Sequence, residues 1–329
     1  MKYKKVVHNE NAIEIDGKVV LSFDKKYKEY LKWRDENPKL EKKLQKDLEL
    51  ELKRLRLYNN GSPHLTKDDK GIVIRKVFYY ENGNKHWDGE MKGDNLHGKC
   101  IQYNTDGTYK SVEHFNDGVL EGEVKYYRQG ELERKGSILS NFRHGEFKSF
   151  WVNGNVRKLE NYKMGMNHGE FKEYRIDGSI EFEGIYDKNY KDGIWTWYYS
   201  NTNKKRQEVY KERYLSEEIQ WNKKGQILSY INKSGGILDG TSRTWYDNGN
   251  RKKFCTYKRH DLEGKYTEWF FGGEKRCEGL MRSDKMDGKW FFWYSNGKLA
   301  LECDFDYGNI INNAKIYHDN GLLKEEVKL

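Results

Sequence analysis

The sequence predicts an all-β protein: an elongated antiparallel meander of about eleven 24-residue β-hairpin repeats, preceded by a small N-terminal α-helical cap. Two observations carry this prediction. One phrase recurs at intervals of 23 or 24 residues between residues 83 and 321. The chain also has 32 glycines but only two prolines, both near the N-terminus. Such a composition suits many tight turns between uninterrupted strands, and repeats of this length indicate a stack of supersecondary units.

The recurring phrase is bounded by glycines and carries aromatic residues, as in "GKWFFWYSNG" from Gly288 to Gly297. Ten of its eleven closing positions are glycine, and the exception is Thr202. Four residues earlier stands an aromatic column, with a one-residue offset at Tyr127. Its members are Tyr79, Tyr103, Tyr127, Phe150, Tyr174, Tyr198, Trp221, Trp245, Trp269, Trp293 and Tyr317.

Each copy of the phrase reads as two short strands joined by a tight "NG" or "DG" turn, which is the strongest short-range hairpin pattern. A second turn then leads to the next copy through residues that tolerate positive φ, such as Asp94, Gly118, Asn141, Gly165 and Asn189. The glycines expected to form structural turns include Gly98, Gly107, Gly145, Gly154, Gly249 and Gly297.

Acidic residues and histidines precede most opening glycines and superficially resemble a metal ladder: His97, Glu121, His144, His168, Asp192, Asp239, Glu263 and Asp287. Neighbouring copies should lie two strands, or roughly 10 Å, apart, whereas zinc ligands lie about 2 Å from the metal. We therefore interpret these residues as turn residues and expect no metal site.

The composition favours a single-layered sheet over a deep core. Hydrophobic residues make up 36% of the chain and charged residues 34%, and 15% of the residues are aromatic. Aromatic side chains pack well on a half-exposed sheet. Eleven hairpins would form a twisted ribbon on the order of 100 Å long with no enclosed interior.

The N-terminal residues 1–63 differ from the repeat array at 64–329. A hairpin is predicted about Asp16-Gly17, followed by a helix in "DKKYKEYLKWRDEN" and a second helix that begins at Pro38. The second helix carries leucines at helical spacing: Leu40, Leu44, Leu48, Leu52 and Leu55. These helices would cover the open edge of the sheet. A partner-binding helix is the alternative.

Charge and motifs exclude several classes of function. The net charge of +9 comes from 61 basic and 52 acidic residues mixed along the chain, which argues against nucleic acid as the partner. No P-loop, GxSxG or HExxH motif is present, so we expect no enzyme activity and no cofactor. The four cysteines form no CxxC pair, which predicts free thiols. With no membrane span or leader, the expected location is cytoplasmic: the host cytoplasm, or a virion if the gene belongs to a phage.

A candidate binding stripe follows if each "NG" pair is a two-residue loop. Counting outward then places Trp245 opposite Lys252 and Trp269 opposite Arg276, with similar pairs at Phe150/Arg157, Tyr198/Lys205 and Tyr103/Lys110. On the other face, aromatics would cover small residues in the pairs Phe171/Gly184, Tyr266/Gly279 and Trp290/Cys303.

Two main interpretations of the aromatic and basic face remain open, and a third, nucleic-acid binding along this face, predicts an affinity that falls steeply with salt. The rows could stiffen the sheet through cation–π packing. They could also bind a protein, because aromatics and arginine supply most interface hot spots. The predicted binding residues are Trp221, Trp245, Trp269, Trp293, Lys252 and Arg276.

The repeat resembles the bacterial MORN-repeat variant over roughly residues 72–329. The resemblance rests on G-x-x-x-x-aromatic-aromatic-x-N-G, followed by "EGIY" or "DGEM" and then "HG". Members of that family are described as β-hairpin arrays that mediate protein contacts, and some are labelled antitoxins. Departures at Thr202, Ser216 and Asn312 predict local irregularity around the sixth and seventh copies.

The resemblance implies a non-enzymatic protein-interaction scaffold whose partner is another protein. One alternative is the antitoxin of a toxin–antitoxin pair. A second is a structural or adhesive component of a bacteriophage particle, since "YKEYLKWRDENP" resembles a segment of phage tail proteins. End-to-end self-association through the final strand is also left open, although its alternating charges would oppose edge pairing.

Overall fold

A computed structural model of the protein describes residues 63–328, apart from the side chain of Asn313, and the backbone of three shorter N-terminal strands. These three strands, β1 (Val6–Asn9), β2 (Ala12–Ile15) and β3 (Lys18–Ser22), form a small antiparallel sheet. Ile15 pairs with Lys18 where the sequence predicts a hairpin. The two helices predicted between residues 24 and 55, and hence the cap, lie outside the described residues.

The described residues from 63 onward are all-β, as predicted, and their 25 strands belong to one antiparallel sheet. Eleven consecutive hairpins, β5/β6, β7/β8, β10/β11 and then each pair from β13/β14 to β27/β28, correspond to the eleven predicted copies. In chain order the strands are β4 (His64–Lys67), β5 (Val73–Tyr79), β6 (Lys85–Lys92), β7 (Asn95–Tyr103), β8 (Tyr109–Asn116), β9 (Val119–Leu120), β10 (Gly122–Arg128), β11 (Glu131–Leu139), β12 (Phe142–Arg143), β13 (Gly145–Phe150), β14 (Val156–Lys163), β15 (Met166–Tyr174), β16 (Ile180–Asp187), β17 (Tyr190–Tyr198), β18 (Lys204–Lys211), β19 (Tyr214–Trp221), β20 (Ile227–Ser234), β21 (Ile237–Trp245), β22 (Arg251–Lys258), β23 (Asp261–Trp269), β24 (Lys275–Arg282), β25 (Lys285–Trp293), β26 (Leu299–Asp306), β27 (Asn309–Tyr317) and β28 (Leu323–Val327).

The chain divides into two compact units. The first contains Met1–Asp88 and Thr105–Gly107, and the second contains Gly89–Asn104 and Thr108–Leu329. In the first unit, β4 pairs antiparallel with β5, and the Asp88 carboxylate is buried between Arg75 and Lys85 at 2.6 and 2.7 Å. The second unit holds the long run of hairpins from β7/β8 to β27/β28.

Ten of the eleven hairpin loops contain three residues, so the two-residue loop predicted for the "NG" pairs is wrong; only the β10/β11 loop, Gln129-Gly130, has two residues, both with positive φ. Between β21 and β22, the Tyr246 N–H donates to the Asn250 carbonyl and the Gly249 N–H donates to the Tyr246 carbonyl, both at 2.9 Å. Gly249 has φ +88°. A type I turn followed by a left-handed residue is the common form of the three-residue hairpin loop. Gly107, Gly154 and Gly297 occupy the same position, with φ of +87°, +84° and +81°.

Two-residue turns occur instead at the links between hairpins. Lys188-Asn189 has φ of +48° and +71°, and Arg259-His260 has φ of +52° and +81°. Positive φ at both residues is the requirement of a type I′ turn, whose twist matches that of the flanking strands. Positive φ is confirmed at four of the five predicted link residues, Gly118, Asn141, Gly165 and Asn189. At the link between β6 and β7, Gly93 has positive φ and the predicted Asp94 does not.

The opening glycines lie within or at the start of a strand and not in a turn, which corrects the predicted role of their column. His97 and Gly98 lie inside β7, and Gly145 begins β13 directly after His144. The glycines sit in bulges. In β23, Tyr266 pairs with Cys255 and Leu262 with Tyr257, so three residues oppose Thr256. A bulge of this kind adds twist and bends the strand.

Paired asparagines connect some of the hairpin loops to the next. The side-chain amides of Asn248 and Asn250 both donate to the Phe271 carbonyl, at 2.9 and 3.0 Å. The same arrangement joins Asn153 and Asn155 to the Ile176 carbonyl, both at 3.0 Å. The asparagines of the "NGN" sequences therefore satisfy carbonyls that would otherwise have no partner in the neighbouring copy.

One sheet face is packed, with its largest side chains buried within the single sheet. We call it the packed face, and it carries Phe147, Phe171, Trp195, Tyr266 and Trp290. Trp290 is fully buried in a cluster with Cys277 and Met281. The register confirms the predicted pairs Phe171/Gly184, Tyr266/Gly279 and Trp290/Cys303. Rings of the next hairpin also cover these glycines: Trp195 covers Gly184 and Trp290 covers Gly279.

Burial of the cysteines predicts a loss of stability at alkaline pH. All four are free and buried, and desolvation raises the pKa of the Cys277 thiol from 9.0 to about 11. The unfolded chain would ionise first, so stability should be constant below pH 9 and fall as the pH rises toward 11. The loss should be roughly 2–3 kcal/mol, measured by urea unfolding across this range. Cys277→Ala should flatten the slope. An equal slope in both proteins would contradict this role.

Candidate binding site

The sheet face opposite the packed face carries a continuous row of side chains. In this row, aromatic residues that end one strand alternate with the first residue of the strand that follows the loop. We call it the stripe face. Trp245 pairs with Arg251, Trp269 with Lys275 and Trp293 with Leu299. Directly paired residues project from the same face of a sheet. The structure therefore brings the predicted tryptophans Trp221, Trp245, Trp269 and Trp293 onto one face.

Cations of the row stack on the tryptophan of the following hairpin. Lys204 Nζ lies 5.7 Å from the ring centre of Trp221, and Lys275 Nζ lies 5.5 Å from that of Trp293. The Arg251 guanidinium lies 5.8 Å from the Trp269 ring centre. These distances are within the range of attractive cation–π contacts. The cations thus link neighbouring copies.

The predicted cross-strand partners of the tryptophans are wrong. A bulge at the aromatic column shifts the register by one residue, between Thr244 and Trp245 in β21. Lys252 consequently lies over Tyr246, at 5.5 Å, and not opposite Trp245. Arg276 approaches Glu268 at 3.6 Å. The same shift pairs Phe150 with Val156, Tyr198 with Lys204 and Tyr103 with Tyr109.

A cleft of about 440 Å³ lies on the stripe between two of the tryptophans. Its lining comes from β21, β22 and the end of β23: Arg243, Thr244, Trp245, Arg251, Lys253, Phe254 and Trp269. The two indoles are half-buried, and the two arginines are exposed. The cleft thus offers flat apolar rings beside exposed guanidinium groups. Sequence reasoning missed Arg243, Arg251 and Phe254; a three-residue loop would have placed Arg251 opposite Trp245.

The arginines of this tryptophan cleft are held by rings and not by carboxylates. Arg243 lies 5.7 Å from the Tyr230 ring centre and 5.8 Å from that of Phe254. Within residues 63–328, neither Arg243 nor Arg251 forms an ion pair with a carboxylate. The Lys253 ammonium lies 4.8 Å from the Tyr266 ring centre.

Two lysines in the hairpins that follow the cleft differ, since each has an acidic partner. Lys275 contacts Glu278 and Lys289 contacts Glu302, both at 2.5 Å. The hydrogen bond that Lys289 donates to Glu302 raises the pKa of Lys289. The tryptophan cleft therefore carries positive charge that the surrounding hairpins do not neutralise.

A buried charge network lies on the packed face at the sixth and seventh copies, where the sequence predicted irregularity. The Glu208 carboxylate contacts Arg206, accepts from Lys191 at 3.2 Å and accepts from the Tyr210 hydroxyl at 2.9 Å. Burial and Glu208 raise the pKa of Tyr210. Lys191 also lies 4.7 Å from the Trp195 ring centre. The network is internally paired, so we assign it a structural role.

We also searched the described part of the chain for metal sites and for membrane-spanning helices. Among residues 63–328, no group of three or more His, Cys, Asp or Glu side chains is placed to hold a metal ion. The described residues also contain no helix long and apolar enough to cross a membrane.

The fold and site define an antiparallel β-hairpin repeat protein with an aromatic and basic face. Three segments, residues 143–164, 238–259 and 286–307, match the family model of the MORN repeat variant. Each spans one hairpin, β13/β14, β21/β22 and β25/β26. The second segment contains all of the cleft residues except Trp269. Comparison with curated protein sequences yields no match.

Solved structures show only remote similarity. A TcdB2–TccC3–Cdc42 complex is 12% identical, with 81% of this chain and 18% of that chain covered and a TM-score of 0.19. The Tc holotoxin pore of Photorhabdus luminescens is 11% identical over the same shares of the two chains, also with a TM-score of 0.19. This chain thus spans less than a fifth of the chains it matches, and similarity at this level supports no inference about function.

Proposed function

We propose that the protein is a non-enzymatic repeat scaffold that binds a protein partner through the tryptophan cleft. The observation that supports this proposal is the cleft itself, where two half-buried indoles flank an arginine without a carboxylate partner. Tryptophan and arginine are the residues most enriched at interface hot spots. The MORN repeat variant matches are consistent with a repeat scaffold.

The repeat supplies a rigid frame for such a site. Every strand of the cleft is hydrogen-bonded on both sides, and the loop asparagines hold neighbouring hairpins together. The side chains that would contact a partner are therefore positioned before binding, which lowers the entropic cost of association.

Selection of random peptides displayed on phage, with the full-length protein as the target, tests this proposal. Selected peptides should bind the wild-type protein at least about 30-fold more tightly than the Trp245→Ala/Trp269→Ala variant, because one hot-spot residue contributes 2 kcal/mol or more. Circular dichroism checks that the variant retains its β-sheet.

Tyr214→Ala is the matched control, since Tyr214 is a 59% exposed aromatic outside the stripe. It should leave peptide binding unchanged. If the double variant unfolds, Arg251→Ala replaces it, because the exposed Arg251 side chain supports little of the core. Failure to select any peptide that depends on Trp245, Trp269 or Arg251 would refute the proposal.

A further inference from the structure

We infer that the partner segment is an acidic, proline-containing peptide in the polyproline II conformation that crosses the strands along the stripe. This inference rests on the proposed function and specifies its ligand. Two features of the stripe carry it: the spacing of the tryptophan column and the arginines that have no carboxylate partner.

The spacing of the tryptophans matches one turn of a polyproline II helix. Trp221, Trp245, Trp269 and Trp293 recur once per hairpin, and therefore every two strands. Strands lie about 4.8 Å apart, so the column repeats about every 9.6 Å. A polyproline II helix rises about 3.1 Å per residue with three residues per turn, or about 9.3 Å per turn. Every third residue would thus meet an equivalent indole.

Other backbone conformations match the column less well. In an extended β-strand, residues on one side recur about every 6.8 Å. This spacing differs from the roughly 9.6 Å spacing of the tryptophans by about 2.8 Å at the first interval. An α-helix returns to the same side after seven residues, about 10.5 Å, and is out of step by about 2.7 Å over three intervals. For polyproline II the same difference is about 0.9 Å. Proline rings also stack on tryptophan, as in other aromatic grooves that bind this conformation.

Charge specifies the residues between the prolines. Arg251 lies one strand from Trp245 and over Trp269, hence between consecutive tryptophans of the column. Arg243 adds a second guanidinium at the same cleft. A carboxylate placed between successive proline contacts would pair with these arginines, and such charge-assisted hydrogen bonds are the strong ones. The class of ligand is therefore a proline-containing peptide with a glutamate or aspartate where it meets Arg251, whereas Ile227 and Leu299 occupy the equivalent position in two other hairpins.

The peptide acetyl-(Pro-Pro-Glu)5-amide is the direct probe, with binding followed by tryptophan fluorescence of the full chain. It should bind at least about tenfold more tightly than (Pro-Pro-Gln)5, which lacks the charge, because hydrogen bonds to charged groups are among the more stabilising. It should also bind more tightly than (Gly-Ser-Glu)5, which has the charge without the preformed conformation.

Two adjacent residues provide the matched pair of variants. Arg251→Ala should weaken binding of (Pro-Pro-Glu)5 by about tenfold and remove its preference over (Pro-Pro-Gln)5. Lys252→Ala should change neither, since Lys252 lies over Tyr246 and away from the cleft.

Three results would contradict the inference that the ligand is an acidic polyproline II peptide. If display selects peptides that require Trp245 and Trp269 but lack acidic residues or proline, the scaffold function stands and this inference fails. Equal binding of the Glu and Gln peptides also refutes it. Tighter binding of single-stranded oligothymidylate than of any peptide would assign the cleft to nucleic acid.

Discussion

Gly279→Ala should destabilise the protein by about 2–3 kcal/mol, which is the cost of adding a methyl group to a filled core. A Cβ at Gly279 would overlap the indole of Trp290. That ring is fully buried, and its Nε1–H donates to the Leu280 carbonyl at 2.9 Å. It can neither tilt nor move away without losing this hydrogen bond. Urea unfolding, followed by circular dichroism, measures the effect.

Gly272→Ala provides the control for this prediction. A Cβ at Gly272 would meet only the flexible carboxylate of Glu274, at 2.5 Å, so the change should be nearly neutral. A double-mutant cycle sharpens the test, because Gly279→Ala should cost little in a Trp290→Ala background. Additive effects in that cycle would show that the ring on the glycine is not the cause.

Glu208→Gln should destabilise the protein by about 2 kcal/mol, because it removes the buried charge to which the partly exposed Lys191 and Arg206 both bind. The Glu208 side chain is 4% exposed and contacts both Lys191 and Arg206. The amide keeps the shape of the carboxylate but removes its charge. The difference in the free energy of unfolding should persist in high salt, since buried pairs are screened much less than exposed ones.

The comparison variant is Glu302→Gln, which breaks the pair with Lys289. The Lys289 side chain is 52% exposed, so this pair should contribute much less than the Glu208 contacts and weaken with salt. Equal losses for Glu208→Gln and Glu302→Gln would contradict the structural role of the buried network.

The register of the hairpins was only half predictable. Pairs in the strand interior, such as Trp290 with Cys303, follow from counting outward from the turn. Pairs beside the loop do not follow, because two local features shift the register there and offset each other only in the strand interior. The loop has one residue more than predicted, and the bulge at the aromatic column adds another on the opposite strand. Lys252 and Arg276 were therefore assigned to the stripe in place of Arg251 and Lys275.

Periodicity alone determined that this chain is a β-hairpin array with one aromatic residue per copy on a common face. The reason is that copies with the same sequence pattern form strands with the same pairing, so equivalent residues lie on the same face. Burial was decided only by tertiary packing. Bulges at glycines such as Gly264 add twist, and a bare glycine such as Gly279 lets the ring of the next hairpin close over the sheet. The unpaired charge of Arg243 and Arg251 likewise depends on which side chains meet across neighbouring hairpins, because an ion pair requires contact in space.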